Sequence, residues 1–143
     1  MNANKPGTYL VLRSTPSRPA VQDVILRAEL SSGSDEGIGL VFRYRDVDNF
    51  CFFVMNESKG YRLLARKLAG TFSQIALDAA NGYDVGRVYF AKLVARGDAI
   101  ELSLDGDLAL QGAESQLVGP GRVGLMSFRN PQARFHALEL TEV

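Results

Sequence analysis

Residues 38–55 read IGLVFRYRDVDNFCFFVM, and this stretch decides the fold class. Every second residue from Ile38 to Tyr44 is apolar or aromatic, which is the period of a strand with one buried face and places Arg43 on the opposite face. The last six residues of the stretch are apolar throughout, as expected of a strand buried on both sides. The stretch therefore predicts two adjacent strands, joined by a turn, in the middle of a layered all-β domain.

The same kind of segment recurs along the rest of the chain, and turn-forming residues separate one segment from the next. The clearest turn is Asp105-Gly106, a dipeptide typical of tight hairpins. The predicted strands are Thr8–Ser14, Asp23–Ser31, Ile38–Tyr44, Phe50–Met55, Tyr61–Leu68, Phe72–Leu77, Val88–Ala95, Ala99–Leu104, Asp107–Leu110, Arg122–Phe128 and Arg134–Leu140. Many short strands with turns roughly every 8–12 residues are typical of a β-sandwich or barrel.

Length and composition fit one globular domain over residues 1–143, with a short N-terminal tail at residues 1–7. Sixteen basic and sixteen acidic residues give zero net charge, so the chain lacks the basic surplus of a nucleic-acid-binding protein. No apolar run approaches the roughly 20 residues that a membrane-spanning helix needs, which predicts no membrane insertion. The polar start, Met1–Thr8, lacks a signal-peptide pattern, so we expect a cytoplasmic protein or an internal module of a longer one.

The residues that carry most hydrolytic chemistry are scarce. His136 is the single histidine and Cys51 the single cysteine, and an apolar strand around Cys51 would raise its thiol pKa and make it unreactive. The two cannot supply the four ligands of a structural zinc site. We therefore predict that the chain is not an enzyme.

The turn formed by Asp46, Asp48 and Asn49 offers three oxygen-bearing side chains in close sequence, as calcium sites do. The alternative is a plain hairpin turn, because Asp and Asn stabilise turns by themselves. Both interpretations stay open, so calcium is the one cofactor that the sequence suggests.

Planar polar and aromatic side chains mark a candidate ligand site, because such groups together recognise sugars in protein pockets. Arg43 is the sharpest candidate, since a charged side chain in the middle of a strand must be paired or hydrated. Its alternative is a structural arginine tied to a neighbouring strand. The full set is Arg43, Arg45, Tyr61, Arg62 and Arg66, with Arg129 and Asn130 on a loop that is either part of the rim or a simple connection.

Seven short stretches, in an order that covers nearly the whole chain, carry a resemblance to a known superfamily. They are Gly39–Asp46, Asp48–Phe50, Gly60–Leu64, Tyr89–Val94, Leu102–Gly106, Gly121–Leu125 and Ala133–Phe135. Together they resemble bacterial modules of the concanavalin A-like superfamily, such as laminin-G-like and pentraxin-like domains and the jelly rolls appended to glycoside hydrolases. The chain departs from them at Phe50–Phe53, where related sequences carry tyrosine and arginine.

The resemblance implies a two-sheet antiparallel jelly-roll β-sandwich and a non-catalytic module that binds carbohydrate on a concave sheet face or at rim loops. It also implies an extracellular or surface-displayed module of a larger protein or assembly. The Glu-x-Asp-x-x-Glu motif of the superfamily's glucanases is absent. The alternative is a structural or docking module that binds another protein or a second copy of itself through a sheet face or edge strand.

Overall fold

The computed structural model describes residues 8–11 and 22–142, which form eleven strands. The strands are β1 (Thr8–Val11), β2 (Val24–Ser32), β3 (Gly37–Asp46), β4 (Asn49–Asn56), β5 (Tyr61–Leu68), β6 (Thr71–Asp78), β7 (Tyr89–Arg96), β8 (Ala99–Leu104), β9 (Asp107–Ala113), β10 (Arg122–Phe128) and β11 (Ala133–Glu142). The predicted strand order is confirmed. The last three residues of the predicted first strand and the predicted tail at 1–7 lie outside the described residues.

Two antiparallel sheets form the sandwich. A six-stranded sheet has the order β1-β10-β3-β4-β5-β6, and a five-stranded sheet has the order β11-β2-β7-β8-β9. Neighbours that are distant in sequence, such as β10 and β3, show that long connections cross between the sheets, as in a Greek key. None of the described residues forms a helix that is long and apolar enough to cross a membrane.

Strand β4 is buried on both faces, as the sequence predicts. Its inner face adds Cys51, Phe53 and Met55 to the core between the sheets. Its outer face adds Phe50 and Phe52 to a second apolar cluster on the other side of the six-stranded sheet. That outer cluster consists of Val41, Phe50, Phe52, Val54, Ala65 and Met126.

The prediction that Arg43 lies on the face of β3 opposite Phe42 and Tyr44 is wrong. The pairing of β3 with β4 shifts register between Phe42 and Asp46, and Arg43 has a positive φ of 49°. A bulge of this kind breaks the two-residue alternation, because one strand carries extra residues opposite its partner. As a result the guanidinium of Arg43 reaches the Gly97 carbonyl in the β7–β8 turn of the opposite sheet, while Tyr44 packs against the outer cluster.

Candidate functional site

Two adjoining cavities, of about 300 Å³ and about 230 Å³, open at one end of the sandwich. The β4–β5 hairpin, the loop at residues 79–88 and the β8–β9 turn surround them. Arg62, Arg87 and Tyr89 line both cavities. We call the pair the polar cleft; its other polar lining residues are Glu57, Asn81 and Asp84 in the first cavity and Asp105 and Asp107 in the second.

Arg62 is held in one orientation at the centre of the polar cleft. Its Nε donates a hydrogen bond to the Gly82 carbonyl at 2.8 Å. Among the hydrogen bonds and ion pairs of residues 22–142, none engages its two terminal nitrogens. The guanidinium therefore presents a fixed pair of donors to whatever enters the cleft.

Arg87 bridges two carboxylates at the rim of the cleft. Its terminal nitrogens lie 2.6 Å from Asp105 Oδ2 and 3.5 Å from Asp84 Oδ2. Its guanidinium also lies 4.6 Å from the centre of the Tyr89 ring, an attractive cation–π contact. Interactions with Tyr89, then Asp105 and Asp84, raise the pKa of Arg87 above its usual value.

Two tyrosines form the rigid floor of the cleft. The Tyr89 hydroxyl accepts a hydrogen bond from the backbone N–H of Asp84 at 2.6 Å. The rings of Tyr83 and Tyr89 meet edge to face, with their centres 6.3 Å apart. The Tyr83 hydroxyl in turn contacts the carbonyls of Ser34 and Glu36. Burial raises the pKa of Tyr83, so this hydroxyl keeps its proton and donates.

The cleft thus combines fixed donors, carboxylate acceptors and an aromatic floor. A sugar hydroxyl both donates and accepts, so neighbouring hydroxyls can bond an arginine fork on one side and a carboxylate on the other. Sequence reasoning found only Arg62 of this set. Apart from Tyr89 on β7 and Asp107 at the start of β9, the other members lie on loops and turns that the sequence marks as connections. Their one signal is the clustering of Asp, Asn and Arg at residues 78–87 and 105–107.

The remaining predicted arginines do not join Arg62. Arg43 is 2% exposed, donates to the Gly97 carbonyl and lies 4.0 Å from Asp23. Arg45 donates to the Val118 carbonyl at 3.0 Å, and Arg66 pairs with buried Glu114 at 2.8 Å. Each of these contacts fits a structural arginine, the alternative that the sequence left open for Arg43.

The other predicted site residues are dispersed as well. Tyr61 lies on the outer face of the six-stranded sheet. Asn130 is buried and donates to Ser32 Oγ at 2.7 Å and to the Glu36 carbonyl at 3.3 Å, which ties its loop to the end of β2. Arg129 is exposed beside it, with a positive φ of 53°.

The acidic turn of β3 and β4 is closed by its own hydrogen bonds. Asp46 Oδ1 accepts from the Asp48 backbone at 2.8 Å and from Asn49 Nδ2 at 2.9 Å. These bonds, the one from Asn49 first, lower the pKa of Asp46. Within the described ranges no three His, Cys, Asp or Glu side chains gather as metal ligands do. Calcium binding at Asp46, Asp48 and Asn49 stays a prediction.

A separate apolar groove of about 360 Å³ lies on the outer face of the six-stranded sheet. Phe52, Val54, Leu63, Phe72 and Phe128 line it together with Tyr61. Ser73 and Gln74 also line this surface, but it has none of the arginines and carboxylates of the cleft.

The architecture defines the class of fold: two antiparallel sheets in a jelly-roll β-sandwich of the concanavalin A-like type. No family model matches the chain, and no curated protein matches it. The structure is similar to the carbohydrate-binding module CBM66 from Bacillus subtilis, with a TM-score of 0.80 and 19% identity over 96% of this chain and 92% of that one.

Galectin structures are similar as well. The galectin LEC-6 from Caenorhabditis elegans has a TM-score of 0.69 and 14% identity over 96% of this chain and 92% of its own. CG-16, a homodimeric agglutinin from chicken liver, has a TM-score of 0.69 and 10% identity over 94% of this chain and 100% of its own. At these identities the likeness concerns the fold, so the predicted fold class is confirmed, and the function has to be argued from the site.

Proposed function

We propose that this protein is a non-catalytic carbohydrate-binding module and that the polar cleft is its sugar site. The observation that carries the proposal is Arg62, which lines both cavities beside Tyr89 and several carboxylates and is oriented by the hydrogen bond from its Nε to the Gly82 carbonyl. Concave sites with a few convergent polar groups are where proteins bind small ligands. The similarity to a carbohydrate-binding module and to galectins supports the choice of ligand class.

The contacts of the cleft carboxylates support binding rather than hydrolysis. A glycosidase needs one protonated carboxyl group, kept so by apolar surroundings or by a second carboxylate. Here three of the four cleft carboxylates have polar contacts instead: Asp84 and Asp105 pair with Arg87, and Glu57 accepts a hydrogen bond from the Tyr83 backbone at 3.1 Å. His136 lies on β11, where its Nε2 is 2.7 Å from Ser31 Oγ, and lines neither cavity of the cleft.

Replacing Arg62 by alanine is expected to weaken sugar binding about tenfold or more. A hydrogen bond to a charged group contributes about 1.5–3 kcal/mol, and 1.4 kcal/mol is a factor of ten in the dissociation constant. Arg62→Lys should bind with intermediate affinity, because lysine keeps the charge but not the two-pronged geometry. A glycan array identifies the ligand, and isothermal titration calorimetry measures each variant.

The matched control is Arg96→Ala, which removes an exposed arginine at the end of β7 that lines neither cavity of the cleft. Its affinity should equal that of the wild type. Repeating the titrations of both variants with calcium and with a chelator also tests whether calcium at the Asp46–Asn49 turn affects sugar binding. Equal affinities for Arg62→Ala and Arg96→Ala, or a wild type that binds no glycan, would contradict the proposal.

A second candidate function is self-association through the edge of the six-stranded sheet. Strand β6 is an edge strand, and residues 71–77 carry no charge, whereas proteins usually protect exposed edges with charged residues. Phe72 and Leu77 on this strand are 55% and 45% exposed. Antiparallel pairing of β6 with β6 of a second copy would place Phe72 of one copy opposite Leu77 of the other and join the two apolar grooves.

Phe72→Glu is expected to raise the dissociation constant of such a dimer about tenfold or more, because each new carboxylate would be buried without a partner against Leu77 of the other copy. Sedimentation velocity over a wide concentration range measures the effect. Val47→Glu, at an equally exposed position in the β3–β4 turn, is the control. A wild type that stays monomeric at the highest concentration rules out this candidate and leaves the sugar site untouched.

A further inference from the structure

A groove of about 660 Å³ lies on the outer face of the five-stranded sheet, separate from the polar cleft and from the apolar groove. The side chains that matter along it are Phe90, Arg27, Glu29, Lys92, Ser103 and Glu139. It pairs one aromatic ring with several planar or hydroxyl-bearing groups. Such a combination binds a sugar through two kinds of contact. The aromatic ring packs against the C–H groups, and the polar side chains bond the hydroxyls.

Phe90 is the exposed aromatic ring of this groove. It is 56% exposed, while its neighbours Tyr89 and Ala91 are each 2% exposed, because alternate residues of β7 face the core. A phenyl ring carries partial negative charge on its face, which attracts the partially positive C–H groups of a sugar. Glu29 lies directly across the β2–β7 pairing from Phe90 and adds a hydrogen-bond acceptor beside it.

The groove and the polar cleft meet at the β8–β9 turn. The Phe90 backbone N–H donates to Asp105 Oδ1, and the Asp105 backbone N–H donates to the Phe90 carbonyl, both at 2.9 Å. Asp105 lines the cleft, and Gly106 lines the groove. Gly106 has a φ of +88°, and no atom lies within 4 Å of where a Cβ would stand, so the surface between the two cavities is open.

We infer that the ligand is a neutral oligosaccharide that binds the polar cleft with one unit and runs over the Asp105-Gly106 turn onto the ring of Phe90. The inference rests on the proposed function of the cleft. A neutral chain fits the charges that line the groove and the cleft. In the groove, the positive charges of Arg27 and Lys92 equal in number the negative charges of Glu29 and Glu139. In the cleft, two arginines face four carboxylates, and this excess of negative charge repels an acidic sugar.

The test compares affinities along neutral gluco-, galacto-, manno- and fructo-oligosaccharide series, from monosaccharide to hexasaccharide, with polygalacturonate as the acidic probe. The wild-type affinity should rise with chain length for the series that binds. Phe90→Ala should abolish this rise with chain length and leave the monosaccharide affinity unchanged. For the longest chain, its affinity should be about tenfold weaker than that of the wild type. Phe72→Ala, which removes an equally exposed phenylalanine from the other sheet, should match the wild type at every length.

The variants separate failure of this inference from failure of the proposed function. If Arg62→Ala weakens every length but affinity stays flat with length, or if Phe90→Ala binds the longest chain as the wild type does, the chain path is wrong and the cleft stands. If Arg62→Ala binds every length as the wild type does, the cleft itself is wrong. Tighter binding of polygalacturonate than of any neutral chain would overturn the assignment of a neutral ligand.

Discussion

Arg66→Ala is expected to lower the free energy of unfolding by about 3 kcal/mol, a large part of the 5–15 kcal/mol typical of a domain. The side chain of Glu114 is fully buried, and its Oε1 lies 2.8 Å from Arg66 Nη1. Burial alone would raise the pKa of Glu114. The hydrogen bonds from Arg66 and from the backbone of Leu117 and Gln116 outweigh that effect and lower it, so the carboxylate stays charged.

The size of this effect follows from what the substitution leaves behind. Without Arg66, Glu114 keeps two backbone hydrogen bonds, at 2.7 Å and 2.8 Å, but loses its counter-charge. Removing one partner of a buried ion pair costs about 3–5 kcal/mol, and the two remaining bonds place this case at the lower end. Urea denaturation, followed by far-ultraviolet circular dichroism, measures the change.

The control for Arg66→Ala is the exposed pair of Arg27 and Glu139. Their charged groups are 3.7 Å apart and largely in water, so Arg27→Ala should cost less than about 1 kcal/mol. The double variant Arg66→Met/Glu114→Gln removes both charges and should recover part of the loss. A loss for Arg66→Ala no larger than that for Arg27→Ala would show that the pair does not anchor the 114–117 segment.

Cys51 is expected to react with a thiol reagent about a thousandfold more slowly in the folded protein than in the unfolded chain near pH 8. Burial, with a smaller effect of Glu114, raises the pKa of the Cys51 thiol from 9.0 to about 12. Only the thiolate is nucleophilic, and three pKa units lower its fraction about a thousandfold. Labelling with iodoacetamide in buffer and in urea measures the ratio.

The same pKa difference predicts how Cys51 affects stability in alkali. A thiol whose pKa is raised in the folded state stabilises fully below pH 9 and loses that contribution as the pH rises from 9 toward 12. Cys51→Ala should therefore lose less stability than the wild type over this interval. Rapid labelling of the native protein at pH 8 would contradict the buried position of Cys51 in β4.

Most of the fold could be predicted because the signals that define it are local. Two-residue alternation and turn residues mark every strand along the described part of the chain, and the doubly apolar run at 50–55 predicts a strand with two buried faces. The alternation fails at Arg43, where a bulge reverses which side each residue faces. No period in the sequence announces that bulge, since the run 38–44 alternates without a break.

The site could be predicted only in part because it depends on which strand ends meet. Tyr61 and Arg62 are adjacent in sequence, but strand alternation sends Tyr61 to the outer groove and Arg62 to the cleft. Arg66 finds its partner 48 residues away, at Glu114. Contacts over such separations follow from sheet topology, which residue type and spacing alone do not encode.

The most direct test of the account is a ¹H–¹⁵N NMR titration with the tightest-binding neutral oligosaccharide. We expect the largest shift changes at the Arg62 side-chain Nε–H and at the backbone amides of Gly82, Asp84 and Arg87, with smaller changes at Phe90. Changes confined to Phe52, Leu63 and Phe72 on the outer face of the six-stranded sheet, with none in the polar cleft, would contradict it.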